Sequence, residues 1–196
     1  MRPLIRESIQ SIVLALTIFV VLGSTIQNFR VEGYSMRDTL HEGQYVIVNK
    51  AVYWHLNLKI IDSAFPFFNM NGNAEIFPFH PPSRGEVVIF KFPNDKKRDF
   101  VKRIIGEPGD IVEITNGIVT VNGKPLKEPY ATAGYSVTLE SVKVPENAYY
   151  VLGDNRPVSS DSRAWGLVPA DNIIGRAWVT YWPLDQIGVV KSLGGS

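Results

Sequence analysis

Phe100-Val101-Lys102-Arg103-Ile104-Ile105 reads as a β-strand, and as an odd one. Aromatic and β-branched residues fill it, except for two adjacent cations. Successive strand side chains point to opposite faces, so Phe100, Lys102 and Ile104 share one face while Val101, Arg103 and Ile105 share the other. Lys102 is thereby flanked by two bulky apolar side chains. Two settings fit that pattern. One is a strand edge with the amine in water; the other is a desolvated pocket that weakens the amine's hold on its proton.

Similar runs surround this one: Tyr45-Val46-Ile47-Val48, Glu86-Val87-Val88-Ile89-Phe90, Ile111 to Ile114, Ile118 to Val121, Tyr149 to Leu152 and Ala177 to Tyr181. Asn116-Gly117 and Asn122-Gly123 are hairpin signals, because both residue types tolerate positive φ. The 13 prolines and 16 glycines are spread between the runs as punctuation. The expected fold is mainly β, an antiparallel, barrel-like sheet domain over residues 30–186. Within it, 112–146 has room for little more than a short hairpin extension, and 187–196 reads as a flexible tail. Residues 54–82 form an aromatic insertion with Phe65, Phe67, Phe68, Phe77 and Phe79. It fits a loop folded over the core or a surface dipping into a lipid leaflet.

The N-terminus has another period altogether. No charge occurs from Ser8 to Phe29, and the centre from Ile12 to Leu22 is apolar all round. A helix rising about 1.5 Å per residue could carry this stretch across a hydrocarbon core of about 30 Å. Arg2 and Arg6 precede it, which places residues 1–7 in the cytoplasm, 8–29 in the membrane and the β domain outside. A cleavable secretory signal shares the basic start and apolar core. An uncleaved single-pass anchor is the preferred reading, because the next motif begins only a few residues later.

Composition excludes more than it assigns. A formal net charge of +1 gives no field suited to nucleic acid. The absence of cysteine removes disulfides, thiolate metal sites and a cysteine nucleophile. With only His41, His55 and His80, neither a metal cluster nor a Ser-His relay is well served. No metal or cofactor is expected. The sequence leaves the oligomeric state open, with a monomer as the default expectation.

A nucleophile candidate stands just beyond the apolar stretch, in Gly33-Tyr34-Ser35-Met36-Arg37-Asp38-Thr39-Leu40. A serine needs something to take its proton. A neutral lysine can do so, and burial of Lys102 between its apolar neighbours would make it neutral enough. A third block, Gly153-Asp154-Asn155-Arg156-Pro157-Val158-Ser159-Ser160-Asp161-Ser162-Arg163-Ala164-Trp165-Gly166, is dense in polar groups. Read alone it could be an ordinary polar turn. Alternatively, its hydroxyls orient the lysine while Asp161 and Arg163 pair to stiffen the loop.

Together these blocks closely resemble the type I signal peptidase family, in the family's order, over Val31 to Leu40, Gln44 to Asn49, Gly85 to Asp110 and Gly153 to Val168. The resemblance implies a Ser–Lys serine protease in which Ser35 is acylated and Lys102 is its base. Ser159 would orient Lys102. Asp161 and Arg163, with Asp154 and Arg103, would support the site. The Ser35 backbone N–H would be one oxyanion donor; the second is open, with Gly33 standing where some relatives carry a serine. Asp38 occupies a position where most members have proline.

The implied activity is removal of signal peptides from secretory preproteins at the outer face of a cell membrane, after small residues of the Ala-x-Ala type. Its partners would be those preproteins and the lipid bilayer. The same dyad occurs in self-cleaving repressors of the LexA and UmuD group, but the scissile bond and DNA-binding head they need are not apparent here. A non-catalytic, membrane-tethered β domain is the remaining alternative.

Overall fold

Helix α1 (Arg2–Thr25) runs directly into strand β1 (Ile26–Arg30) in the computed structural model, which describes residues 2–53, 56–57, 75–76 and 80–192. From Arg6 to Thr25 the helix is long and apolar enough to cross a membrane. Its hydroxyls do not spoil it, since Thr17, Ser24 and Thr25 donate back to helix carbonyls at 2.8–2.9 Å. The span expected over 8–29 is shorter than the sequence suggested. Residues 26–29 are strand: Ile26 pairs Asn49 and Phe29 pairs Val46. β-branching at Ile26 and a sheet edge to join outweigh continued helix there.

The remaining strands are β2 (Tyr45–Asn49), β3 (Leu56–Asn57), β4 (Glu75–Ile76), β5 (Val87–Phe92), β6 (Asp95–Gly106), β7 (Ile111–Thr115), β8 (Ile118–Val121), β9 (Lys124–Pro125), β10 (Leu139–Lys143), β11 (Ala148–Leu152), β12 (Val168–Pro169), β13 (Ile173–Trp182) and β14 (Gly188–Val189). A short helix α2 (Ser162–Trp165) precedes β12. The main antiparallel sheet has the order β1-β2-β13-β5-β6-β11-β12, with β14 on β13. Among the described residues, β11 covers β6 only from Arg103 to Gly106, so the edge of β6 from Asp95 to Lys102 carries no strand on that side.

Two expectations need correction. Residues 112–146 are more than a hairpin: β10-β7-β8-β9 form a separate four-stranded sheet. Its own core includes Val112, Ile114, Val119, Val121 and Val144, and extends to Ile105 and Leu152 of the main sheet. The turns are as read, with Asn116 and Gly117 at φ 51° and 81° and Asn122 and Gly123 at 52° and 76°. The C-terminal tail is likewise ordered as far as it is described. β14 pairs β13, Val190 is buried in the core with Val31 and Met36, and the Lys191 carbonyl accepts from Arg103. Burial of one valine and capture of one carbonyl outweigh the glycine content.

Of the aromatic insertion over 54–82, the described residues are the paired strands β3 and β4 and His80 to Pro82. Its phenylalanines lie outside the described residues.

Candidate active site

Ser35 is presented by a turn that the core holds from beneath. Gly33 enters it at φ 82°, a left-handed conformation that suits glycine. Met36 and Leu40 are each 1% exposed and pack with Val31, Val46, Val48 and Val87. The Leu40 N–H bonds the Met36 carbonyl at 2.6 Å. Met36 is therefore an anchor, leaving Ser35 half-buried at the rim.

Lys102 reaches it from β6. Its Nζ lies 2.7 Å from Ser35 Oγ and donates to the Val101 carbonyl at 2.9 Å. The side chain is 4% exposed, and its ammonium position lies 5.5 Å from the Phe100 ring centroid. Burial lowers the Lys102 pKa from its ordinary 10.5 to about 8; Asp161 and Asp154 oppose the shift and Arg163 assists it. An amine half neutral near pH 8 can accept the Ser35 proton across that same 2.7 Å contact. Of the two settings read from strand alternation, the desolvated one is found.

The neighbouring Arg103 points to the opposite face and is fully buried. Nε and Nη2 grip Asp154 Oδ1 and Oδ2 at 2.9 and 2.7 Å. Nη1 donates to the Gly85 and Lys191 carbonyls and Nη2 to Thr39 Oγ1. Each of its five N–H groups has an acceptor, which a buried guanidinium requires. Thr39 passes the contact on to Asp154 at 2.5 Å, tying the Ser35 turn to the loop after β11.

That loop carries the rest. Asp161 caps α2 by accepting from the Arg163 N–H. It also takes the Arg163 side chain at 2.7 Å through both oxygens, and the Gly153 N–H at 3.0 Å. Asn155 clamps the Ser35 turn, its backbone N–H on the Ser35 carbonyl at 3.0 Å and its side-chain amide on the Tyr34 carbonyl at 3.1 Å. Ser159 differs from expectation. Its hydroxyl is buried and has no hydrogen-bond partner, while Lys102 bonds Ser35 and Val101 instead. It lies against Gly153, beside the Ser35 carbonyl.

A cleft of about 500 Å³ opens over Ser35 and Lys102. One wall is Phe29 to Tyr34; the other is Arg98 to Val101 on the free edge of β6. Gly33 lines it, and neither the Gly33 nor the Ser35 N–H makes a backbone–backbone bond among the described residues. Asp38 lies outside the lining and accepts from the Thr132 hydroxyl. Among the described residues no cluster of His, Asp or Glu is suited to a metal.

Sequence reading brought Ser35, Lys102, Arg103, Asp154, Asp161 and Arg163 to one place, and the structure does so too. It missed Thr39, the Asn155 clamp and the buried pair between Arg156 and Glu128. Asn155 and Arg156 sit within the Gly153 to Gly166 block, and Thr39 within the Gly33 to Leu40 block, and could have been flagged there; Glu128 carries no local signal.

Comparison with known proteins gives the same direction as the geometry. A model of the family described as signal peptidase, peptidase S26, matches residues 5–182. A probable signal peptidase I-1 of Synechocystis is 32% identical, over 96% of this chain and 88% of its own. A signal peptidase IB of Staphylococcus aureus is 34% identical, over 95% of this chain and 94% of its own. A solved signal peptidase I of Enterococcus faecalis is 34% identical and matches 50% of this chain and 97% of its own, with a TM-score of 0.44. On the extent of the family match and the length of these relatives covered, the chain belongs to the peptidase S26 family as a bacterial type I signal peptidase, a serine endopeptidase that removes signal peptides from secretory preproteins.

Proposed function

We propose that cleavage proceeds through a Ser35 acyl-enzyme with Lys102 as the general base. The observation that supports this is the 2.7 Å approach of a buried amine to the Ser35 hydroxyl. Neutral Lys102 takes the Ser35 proton as Oγ attacks the scissile carbonyl. Protonated Lys102 then returns it to the leaving amine, and the next neutral cycle activates water against the acyl-enzyme. The Ser35 N–H, with that of Gly33 beside it, holds the developing oxyanion. Ser159 Oγ, buried beside the site and unpartnered, orients the lysine once the Ser35 proton is committed to the reaction. The pairs Arg103–Asp154 and Asp161–Arg163 fix the two loops.

The preprotein lies extended in the cleft, adding backbone hydrogen bonds along the unpaired edge of β6. Small side chains, alanine above all, fit at the first and third positions before the cut. Helix α1 anchors the chain in a cell membrane with the β domain outside, so enzyme and substrate share one membrane plane. The chain acts as a monomer.

The test is a peptide carrying Ala-x-Ala, incubated with the wild type, Ser35→Ala and Lys102→Arg. Both variants lose cleavage, since alanine offers no nucleophile and a guanidinium does not deprotonate in this range. Undiminished cutting by Ser35→Ala overturns the mechanism; equal cutting of peptides with bulky residues at both positions overturns the specificity.

A further inference from the structure

The loop between β9 and β10 reaches back from the small sheet to three arginines, one after another. Glu128 takes both Arg156 nitrogens, at 2.5 and 3.0 Å, in a pair with little exposure on either side. Tyr130, 8% exposed, lays its ring 4.0 Å from the Arg103 guanidinium carbon. Tyr135 stands 4.6 Å from that of Arg163. Between them Thr132 donates its N–H to the Asp154 carbonyl at 2.9 Å and its hydroxyl to Asp38 on the Ser35 turn.

The loop is itself held up from the far side. The Gly117 N–H bonds the Val137 carbonyl at 2.9 Å. A methyl group on Gly117 would fall 2.0 Å from the Tyr135 carbonyl, so the β7–β8 turn and the loop are in direct contact. A line of packed contacts thus runs from the Asn116-Gly117 turn through Tyr135 to Arg163.

We propose that residues 128–135 are a positioning brace for the reaction, seating Glu128, Tyr130 and Tyr135 on Arg156, Arg103 and Arg163 so that the Ser35 turn and the 153–163 loop keep their register. This goes beyond the proposed mechanism and rests on it. None of these three residues lines the cleft, so each acts through the arginine it covers. Arginine faces stacked on aromatic rings lose little by desolvation and gain a fixed plane, which suits a guanidinium that must hold a carboxylate in register.

Arg163 offers a specific readout. Lys102 feels Asp154 and Asp161, which favour its charged form, and Arg163, which opposes it; Arg98 and Asp99 on its own strand also line the cleft. Freeing Arg163 leaves Asp161 less compensated, and Lys102 then holds its proton to higher pH.

The experiment uses the full chain in detergent, an Ala-x-Ala peptide and pH profiles of kcat. Tyr135→Leu lowers kcat by about 5-fold or more, leaves KM within about 2-fold and moves the pH midpoint upward, while Tyr135→Phe behaves as wild type. Tyr130→Leu lowers kcat similarly. Should that buried substitution prevent folding, half-exposed Tyr135 decides alone. A folded Tyr135→Leu with wild-type kcat and midpoint overturns the brace. A wild-type chain that cuts no such peptide instead overturns the proposed function, and the brace with it.

Discussion

Gly153 and Ser159 lie in contact: a methyl group added to Gly153 would stand 2.2 Å from Ser159 Oγ and 2.6 Å from the Ser35 carbonyl. Those distances are far below van der Waals contact. Gly153→Ala must therefore push apart the loop and the Ser35 turn, at an overpacking cost of about 1–3 kcal/mol. The expected outcome is a folded protein with kcat reduced at least about 10-fold, because the Ser35–Lys102 approach tolerates little displacement. Peptide kinetics beside thermal unfolding checks it. Wild-type kcat in this variant would mean that the contact is slack.

On the proposed mechanism, activity should follow the Lys102 proton. With its pKa lowered to about 8 by burial, kcat/KM rises through that pH and levels off above it, well short of the 10.5 of an ordinary lysine. A profile still climbing at pH 10 contradicts the burial argument.

The same shift weakens the fold at neutral pH. Below about 8 Lys102 is charged both folded and unfolded, and the folded state bears the desolvation cost in full; the cost is relieved between about 8 and 10.5. The gap between those two values corresponds to about 3 kcal/mol. Lys102→Met, apolar and of similar length, should raise Tm at pH 6–7 while abolishing cleavage. The gain should vanish above pH 10.5, where the wild-type amine is neutral in either state. Chemical denaturation at several pH values measures it.

Asp154→Asn leaves Arg103 buried without the carboxylate that pairs with it. Both residues are essentially without solvent access, so water cannot make up the loss. The expected cost is about 3–5 kcal/mol, with activity falling as Thr39 and the Ser35 turn loosen from the loop after β11. A urea midpoint equal to wild type would show that the pair is dispensable.

Much of this was legible because the chemistry is local. Strand alternation alone placed Lys102 between Phe100 and Ile104, and the Asn-Gly pairs marked both turns of the small sheet. Asp161 and Arg163 lie two residues apart and meet on a single loop. Contacts between distant segments left no such trace. Thr39 meets Arg103, and Glu128 meets Arg156, only through tertiary packing. The helix end differs for a related reason: the uncharged run Ile26-Gln27-Asn28-Phe29 can end a membrane span or begin a strand, and β2 as a partner cannot be seen in the segment itself. The role of Ser159 toward the lysine comes from family resemblance; in the structure its hydroxyl is unpartnered while Lys102 donates to Ser35 and Val101.

No linker separates α1 from β1. The Thr25 carbonyl is already bonded to the Lys50 N–H at 2.8 Å, and β1 is zipped to β2 from its first residue. At about 3.3 Å per residue, the five residues of β1 form a rigid post of about 16 Å. On the proposed seating of the helix in lipid, that strand, rather than a loose tether, would join the bilayer to the Ser35 turn. A preprotein held by such an enzyme would be cut at a depth measured off by the backbone of β1.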